Sequence, residues 1–180
     1  MEVIDLPLSG LKLIKPDIYR DERGFFLETF QISRYYNEGF DYPFIQDNHS
    51  RSIEGVLRGL HYQEDQAKLV RCTNGVVYDV AVDIRKDSPT FGQHYGLYLY
   101  SSDCWQFYIP SGFAHGFCCI TNVCDLEYKV TSHYDVKTEG SIIWNDIDLN
   151  IQWPIAQMGK LILSDKDKQS QSFAQYKNKD

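Results

Sequence analysis

The sequence predicts an all-β fold, an antiparallel sandwich or barrel. From about residue 44 to residue 129, short segments rich in Val, Ile, Tyr and Phe alternate with Gly, Pro, Asn and Ser, as strands alternate with turns. Helical periodicity is scarce in the same stretch. At 180 residues, the chain is long enough to bury a real core and short for two domains.

The clearest local element is a predicted hairpin. Strand-like residues 69–73 and 76–85 flank Asn74-Gly75, a dipeptide that favours a tight turn between paired strands. Because side chains alternate along a strand, the second segment has an apolar row on one face and carries Asp79 and Asp83 on the other. We expect the apolar row to face the sheet core and the two carboxylates to lie in a polar interior or rim.

Two short helical stretches are expected, over residues 33–38 and within residues 164–179. Neither is long enough to set the architecture. The chain has no internal repeat or low-complexity linker, and a Lys- and Gln-rich end, expected to fray, begins at about residue 168. These features predict a single domain over residues 1–180.

The bulk chemistry excludes several classes of function. A formal net charge of −7 argues against a nucleic-acid-binding surface, which needs clustered Lys and Arg. No apolar run approaches a membrane span and the first residues do not resemble a signal peptide, so we expect no membrane partner and a cytoplasmic location. The five cysteines form no CxxC pair, which predicts reduced thiols rather than disulfides or structural zinc.

The first candidate catalytic residue is His61, which lies in a strand-like segment at residues 55–63. Histidine is a natural general base because its pKa is about 6.5, although a lone histidine is more often a hydrogen-bonded core residue. In a regular strand Arg58 and His61 point to opposite faces, so they reach one ligand only through a bulge or bend. Gly59 is expected to let a ligand approach closely.

Other candidate groups are dispersed along the chain. His115 follows a turn that contains Pro and Gly, and Tyr128 lies in an alternating, strand-like segment where it could donate a proton. Asp167 stands in an acidic cluster and could orient a histidine. Each also has an ordinary structural interpretation, as a turn residue, a core tyrosine and a helix cap or solvated charge, respectively.

Three basic residues are candidates for binding an anion. Lys68, Arg58 and Arg23 could bind a diphosphate or an enolate oxygen, and taken singly they could equally be surface residues.

Small β-barrel metalloenzymes usually present His-x-His followed by a carboxylate and a later His. Because His61 is followed by Tyr and Gln, no metal site is predicted.

The strongest signal is a series of motifs rather than any one residue. The series comprises DERGFFLETF (21–30), QDNHS (46–50), GVLRGLHYQ (55–63), DIRKDSPTFG (83–92), IPSGFAHGF (109–117), IWND (143–146), IQWP (151–154) and LSDKD (163–167). Together, over about residues 6–167, they resemble the dTDP-4-dehydrorhamnose 3,5-epimerase family. The resemblance implies a cupin-type jelly-roll β-sandwich or barrel with a few short helices, and a homodimer whose N-terminal strands cross to the partner.

The resemblance also implies an activity, the epimerisation at C3 and C5 of a nucleoside-diphosphate 4-keto-6-deoxy hexose through an enolate. In the family's type reaction, dTDP-4-dehydro-6-deoxyglucose becomes dTDP-4-dehydrorhamnose, without metal or redox cofactor. Two alternatives stay open. One is a C3-only epimerase or ketoisomerase that acts on another nucleotide sugar such as a heptose, and the other is a non-catalytic sugar-nucleotide binding module.

Individual roles follow from the resemblance by position. His61 resembles the family's base and Asp167 the carboxylate that orients it. Tyr128 resembles the acid on the opposite face of the ring, and Lys68 the cation beside the enolate. Residues 63–68 depart from the Pro-rich loop of typical members, which leaves the nucleotide preference open. The residues implied to bind substrate, the first two in the partner subunit's pocket, are Arg23, Glu28, Gln46, Asn48, Arg58, His115, Tyr134, Glu139 and Lys166.

Overall fold

Thirteen short strands and three short helices account for most regular structure in the described part of the chain. The computed structural model describes residues 1–40 and 43–179. The strands are β1 (Glu2–Asp5), β2 (Lys12–Lys15), β3 (Tyr19–Asp21), β4 (Gly24–Phe26), β5 (Gln46–Ile53), β6 (Leu57–Gln63), β7 (Lys68–Asn74), β8 (Val76–Asp83), β9 (His94–Tyr100), β10 (Gln106–Ile109), β11 (Phe113–Cys119), β12 (Val123–Val130) and β13 (Glu139–Ser141). The helices are α1 (Ile32–Asn37), α2 (Asp165–Lys168) and α3 (Phe173–Lys177), with a 3₁₀ turn at Ile155–Gln157.

Two antiparallel sheets face each other across a hydrophobic core. One has six strands in the order β1-β2-β10-β7-β12-β5, and the other has five in the order β13-β6-β11-β8-β9. From β5 onward the chain passes repeatedly from one sheet to the other, so most neighbours within a sheet are distant in sequence. The core contains side chains of both sheets, such as Val70 and Leu126 from one and Ala81 and Leu99 from the other. The all-β fold predicted from the sequence is confirmed.

The Asn74-Gly75 turn does not close a hairpin, so that prediction is wrong. Strand β7 pairs with β10 and β12, whereas β8 pairs with β11 and β9, and the turn carries the chain from one sheet to the other. The turn itself is tight, because Gly75 has a φ of +75° and a Cβ there would lie 2.4 Å from the carbonyl oxygen of Val123. Both strands are largely buried, and each takes its partners from elsewhere in the chain.

Strand β8 is buried on both faces. Asp79 and Asp83 are fully buried on the same face as Val77, as predicted for a polar interior. The apolar row on the other face, which includes Val80, packs against a second core that contains Trp153 of the C-terminal segment. The row therefore packs in a core, as predicted, and this core lies on the outer side of the five-stranded sheet.

The C-terminal segment is docked on the sheet rather than frayed. Helix α1 closely matches the helix predicted over residues 33–38, and α2 and α3 lie in the second predicted stretch. Ser172 begins α3 with a capping box, Phe173 is 4% exposed, and the Tyr176 hydroxyl donates a hydrogen bond to the Ile84 carbonyl at 2.9 Å. Phe173 and Tyr176 are three positions apart, so they lie on the same face of α3, and this face packs against the sheet. None of the described helices is long and apolar enough to cross a membrane.

Candidate active site

A cavity of about 330 Å³ opens between the two sheets. Strands β6 and β11 form its wall on the five-stranded side, and β5, β7 and β12 form the wall on the six-stranded side. Side chains that are remote in sequence therefore meet in one place. The sequence-predicted residues that line the cavity are Gln46, Asn48, Arg58, His61, Lys68, His115, Tyr128, Tyr134 and Glu139.

His61 is hydrogen-bonded to Asp167, with 2.5 Å between Nε2 and Oδ1; the imidazole is 34% exposed and the carboxyl group 3% exposed. Ser164, the N-cap of α2, donates a second hydrogen bond to this carboxylate at 2.8 Å. Burial acts to raise the pKa of Asp167, but the hydrogen bonds from His61 and Ser164 outweigh it and lower the pKa below its ordinary value. Because the carboxylate accepts the proton of Nε2, Nδ1 is the basic nitrogen of the neutral ring.

A bulge in β6 turns Arg58 and His61 toward the same cavity. His61 is opposite His115 and Arg58 is opposite Phe117, so three steps along β6 match two steps along β11. The irregularity includes Gly59, whose φ is +136° and at which a Cβ would lie 2.5 Å from a backbone Cα of β11. Gly59 therefore makes room for the neighbouring strand and not, as predicted, for a ligand. The bulge that a shared ligand site requires is present.

Two groups of β5 hold the guanidinium of Arg58. Its Nε donates a hydrogen bond to the Ser52 hydroxyl at 3.1 Å, and its Nη2 donates one to the Arg51 carbonyl at 3.2 Å. Ser52 is 3% exposed, so its hydrogen bond to Arg58 is largely shielded from solvent. A guanidinium has more N–H donors than these two bonds use, and the remaining donors are suited to an anionic ligand.

Tyr128 lies on the six-stranded wall, opposite the strand that carries His61. In the register of β12 and β5 it pairs with Asn48, whose side-chain oxygen accepts a hydrogen bond from the Gln46 amide at 2.9 Å. Burial raises the pKa of Tyr128, and the positive charge of Arg58 acts in the opposite direction. The phenol is therefore protonated at neutral pH and can act as a proton donor.

Other buried polar groups at the cavity are Lys68 and a second histidine–aspartate pair. Burial lowers the pKa of Lys68 to about 8, while Asp79 and Glu139 act to raise it. His115 Nε2 lies 2.8 Å from Oδ1 of Asp79, which is fully buried. All of these residues could be named from the sequence, but no pattern in the sequence predicts that His115 pairs with Asp79. Within residues 1–40 and 43–179, no group of three or more His, Cys, Asp or Glu residues could hold a metal ion.

The mouth of the cavity contains a network of three predicted binding residues. The Tyr134 hydroxyl donates a hydrogen bond to Glu139 Oε2 at 2.9 Å, and Lys166 Nζ donates one to Oε1 at 2.6 Å. The hydrogen bond to Glu139 raises the pKa of Tyr134. Tyr134 is 62% exposed, so one face of its ring is open to a ligand.

The sequence matches the family model for dTDP-4-dehydrorhamnose 3,5-epimerase over residues 5–175. The chain belongs to the dTDP-4-dehydrorhamnose 3,5-epimerase family. The family's cupin-type jelly-roll fold, implied by the resemblance, is confirmed by the two sheets and by their likeness to the solved structure of a relative.

Relatives in this epimerase family match nearly all of the chain. The dTDP-4-dehydrorhamnose 3,5-epimerase of Shigella flexneri is 46% identical over 96% of each chain. That of Neisseria gonorrhoeae is 46% identical over 97% of this chain and 53% of its own length, so the chain spans about half of that relative. The dTDP-6-deoxy-D-glucose-3,5-epimerase of Legionella pneumophila, solved in complex with dTDP-4-keto-L-rhamnose, is 48% identical, with a TM-score of 0.90 and coverage of 95% and 92% of the two chains.

Four predicted residues of this epimerase-family chain do not line its own cavity. Asp167 and Lys166 hydrogen-bond to residues that do, whereas the other two lie apart from it. Arg23, whose side chain is 85% exposed, pairs with Asp21 at 2.5 Å in the β3–β4 hairpin. Glu28 pairs with Arg34 at 3.2 Å. The prediction assigned both residues to the partner subunit's pocket, and within one chain they take no part in the site.

The cavity of this epimerase-family chain also contains polar residues that the sequence did not single out. Ser50 lines it, and the Ser50 hydroxyl is buried without a hydrogen-bond partner among the described residues. Ser50 lies two positions after Asn48, so strand alternation was the signal that could have identified it. Gln63 and Gln66 also line the cavity, and Gln63 lies two positions after His61 on the same strand.

Proposed function

We propose that this chain epimerises a nucleoside-diphosphate 4-keto-6-deoxy hexose at C3 and C5, converting dTDP-4-dehydro-6-deoxyglucose to dTDP-4-dehydrorhamnose. Family membership and relatives named as dTDP-4-dehydrorhamnose 3,5-epimerases support the proposal. The 4-keto group makes the protons on both neighbouring carbons acidic, so one set of groups can serve both centres. The reaction needs a base, an acid on the opposite ring face and a cation near the enolate oxygen.

The observation that carries the proposal is the placement of a candidate base and a candidate acid on opposite sheets. His61 belongs to β6 of the five-stranded sheet and Tyr128 to β12 of the six-stranded sheet, and both line one cavity. A sugar ring between the sheets would present one face to the imidazole and the other to the phenol. Inversion requires such an arrangement, because the proton leaves from one face and returns to the other.

In the proposed reaction, Nδ1 of His61 removes the proton from C3 or C5 and the ring becomes an imidazolium. Asp167 orients the ring through Nε2 and stabilises the new positive charge. The electron pair moves to the C4 oxygen, and the ammonium of Lys68 stabilises the resulting enolate. Tyr128 then donates a proton to the carbon from the opposite face. Exchange with solvent returns His61 and Tyr128 to their starting protonation states.

Substrate binding is assigned from positions in and around the same cavity. Arg58 and His115 are assigned to the diphosphate and the sugar, because a fixed guanidinium and a buried imidazole can both donate hydrogen bonds to oxygen ligands. Tyr134 offers an aromatic face at the mouth, where a nucleobase could stack. The remaining residues assigned to nucleotide and sugar binding are Gln46, Asn48, Glu139 and Lys166.

Solvent isotope exchange tests the proposal. The purified protein, incubated in deuterated water with dTDP-4-dehydro-6-deoxyglucose, is expected to incorporate deuterium at both C3 and C5 and to form product inverted at both carbons, as followed by NMR. His61→Ala is expected to abolish exchange while circular dichroism shows an unchanged fold, because the imidazole faces a cavity rather than a core.

The same experiment separates the proposed reaction from its alternatives. Exchange at C3 alone, or a shifted ketone, would indicate a C3-only epimerase or a ketoisomerase. Binding without exchange at either carbon, with GDP- and CDP-linked sugars tested in parallel, would indicate a binding module and contradict the proposal. These substrates also address the nucleotide preference that residues 63–68 leave open.

The proposed assembly is a homodimer that exchanges its N-terminal hairpins. Strands β3 and β4 pair only with each other among the described strands, and their exposed aromatic residues include Phe25 at 55% and Phe26 at 70%. A two-stranded hairpin with exposed aromatics is poorly stable alone and gains stability when a second surface covers it. Arg23 lies in this hairpin, and we assign it together with Glu28 to the partner subunit's pocket.

We propose that residues 1–180 form one domain. The core between the sheets and the second core, which contains Trp153, both pack against the five-stranded sheet, one on each face. We also propose a cytoplasmic location, with which the five free, buried cysteines agree. The expected partners are a nucleotide sugar and a second copy of the chain, and no nucleic acid or membrane.

A further inference from the structure

The buried side chain of Gln63 in β6 makes three hydrogen bonds to the loop that joins β12 to β13, residues 131–138. Its Nε2 donates hydrogen bonds to the Ser132 hydroxyl at 3.0 Å and to the His133 carbonyl at 2.8 Å. Its Oε1 accepts a hydrogen bond from the backbone N–H of Asp135 at 3.0 Å. Gln63 is 8% exposed, and both of its amide protons and its carbonyl oxygen are engaged within the protein.

The anchored loop carries the mouth of the cavity. Tyr134 lies between the two residues whose backbones bind Gln63. Its hydroxyl donates a hydrogen bond to Glu139, which follows the loop directly at the start of β13. Because Tyr134 is 62% exposed, little packing fixes its ring, and its position depends on the backbone that carries it and on the hydrogen bond to Glu139. Gln66 donates hydrogen bonds to the Ser132 carbonyl at 3.1 Å and to its hydroxyl at 3.3 Å, and backbone hydrogen bonds at Thr131 and Thr138 hold the two ends of the loop. Gln63 differs from these in bonding to the middle of the loop, at residues 133 and 135.

We propose that Gln63 is a positioning residue that holds the Tyr134 loop in the conformation that binds the nucleotide end of the substrate. The inference rests on the proposed function of the cavity and deepens it. A glutamine suits this position because an amide supplies two donors and an acceptor, whereas glutamate would meet the His133 carbonyl without a proton. Since Gln63 and His61 lie on one strand, the anchor also fixes the nucleotide end relative to the base.

Gln63→Met tests the proposal by keeping length and apolar volume while removing all three hydrogen bonds. If the binding conformation of the loop falls to about a tenth of the population, the Kd for dTDP rises about tenfold, because the apparent Kd varies inversely with that population. The KM for the nucleotide sugar is expected to rise similarly, while kcat changes less than about threefold. The matched control is Gln152→Met, at an exposed glutamine that bonds only to Asn150.

A double-mutant cycle, measured by calorimetry with dTDP, distinguishes positioning from a general loss of structure. If Gln63 acts through the Tyr134 loop, Gln63→Met combined with Tyr134→Ala binds dTDP about as well as Tyr134→Ala alone. Multiplicative losses in the double variant, or an unchanged Kd in Gln63→Met, would overturn the proposal. A fall in kcat with unchanged KM would do the same, because it would indicate a loss of folded enzyme only.

Hydrogen exchange of the free enzyme tests the anchor without any ligand. The amide of Asp135 is expected to exchange slowly in the unsubstituted protein and at least about tenfold faster in Gln63→Met, with the strands of the core unchanged. Equal exchange in the two proteins would refute the anchor. If the unsubstituted protein neither binds dTDP nor shows isotope exchange into the sugar, the proposed function fails, while the amide measurement still judges the anchor.

Discussion

At Asp167, the burial of a carboxyl group and the hydrogen bonds it receives act on its pKa in opposite directions. The hydrogen bonds prevail and the pKa is lowered, so the group beside His61 is an anion at neutral pH. Asp167→Asn keeps the shape but removes the charge that stabilises the imidazolium, and kcat is expected to fall about 10²–10⁴-fold. Solvent exchange at saturating substrate measures this loss. Asp165→Asn, on the same helix but 89% exposed, is the control, and an equal loss there would contradict the assignment.

The Tyr128 hydroxyl is expected to act after the first proton is removed. Tyr128→Phe should therefore retain some exchange of substrate protons with solvent while completed inversion falls about 10²-fold or more. Deuterium content and ring coupling constants, read from the same NMR sample, separate the two events. Tyr100→Phe, at an exposed tyrosine of β9, should behave as the unsubstituted protein. Full product formation by Tyr128→Phe would remove Tyr128 from its role.

The bulge in β6 shows how one element sets the geometry of the site. Gly59→Ala would place a Cβ 2.5 Å from the backbone of β11 at a φ of +136°, so we expect a loss of about 3 kcal/mol in unfolding free energy. Urea denaturation measures this change. Gly39→Ala is the control, because Gly39 also has a positive φ but a Cβ there would meet no atom within 4 Å, and it should lose only about 1 kcal/mol. Equal losses would mean that backbone strain, and not the neighbouring strand, accounts for the requirement.

At the scale of elements, the sequence predicts strands better than their partners. The alternation of Val77, Asp79 and Ala81 correctly places Asp79 in a polar interior, because alternation is a local property of a strand. The Asn74-Gly75 turn was misassigned to a hairpin, because the same tight turn can return a strand to its own sheet or pass it to the facing one. A short helix was predicted in the region of α3, but its docking was missed, because the polar neighbours of Phe173 and Tyr176 obscure the one face that packs.

Mixed dimers test whether the two subunits exchange their N-terminal hairpins. Arg23→Ala and His61→Ala homodimers should each have low activity, the first through substrate binding and the second through chemistry. In a mixed dimer, the His61→Ala chain would supply an intact Arg23 to the partner's intact His61. Recovery of about one active site per purified mixed dimer is expected, measured by isotope exchange against both homodimers. No recovery would mean that each hairpin does not serve the other chain.

The site as a whole could be predicted only from the motif series. His61 and Tyr128 could be named as candidates from the residues, but their roles came from the resemblance, since each alone has an ordinary structural interpretation. The pairing of His115 with Asp79 and the anchoring role of Gln63 depend on which strands neighbour one another, and no local pattern encodes that. The cavity brings these residues together because β6 and β11 are neighbours in one sheet and face β12 in the other.

Because His61 and Tyr128 belong to different sheets, the distance between them depends on how the hydrophobic interior spaces the two sheets. Side chains such as Val70 and Leu126 separate the sheets, yet neither belongs to the proposed proton-transfer groups. A conservative exchange among them, such as Leu126→Val, would alter the spacing of the layers by a fraction of an ångström. Substitutions that repack this interior should therefore change kcat even where the protein still folds. The reaction at the edge of the core thus limits which substitutions the core can accept.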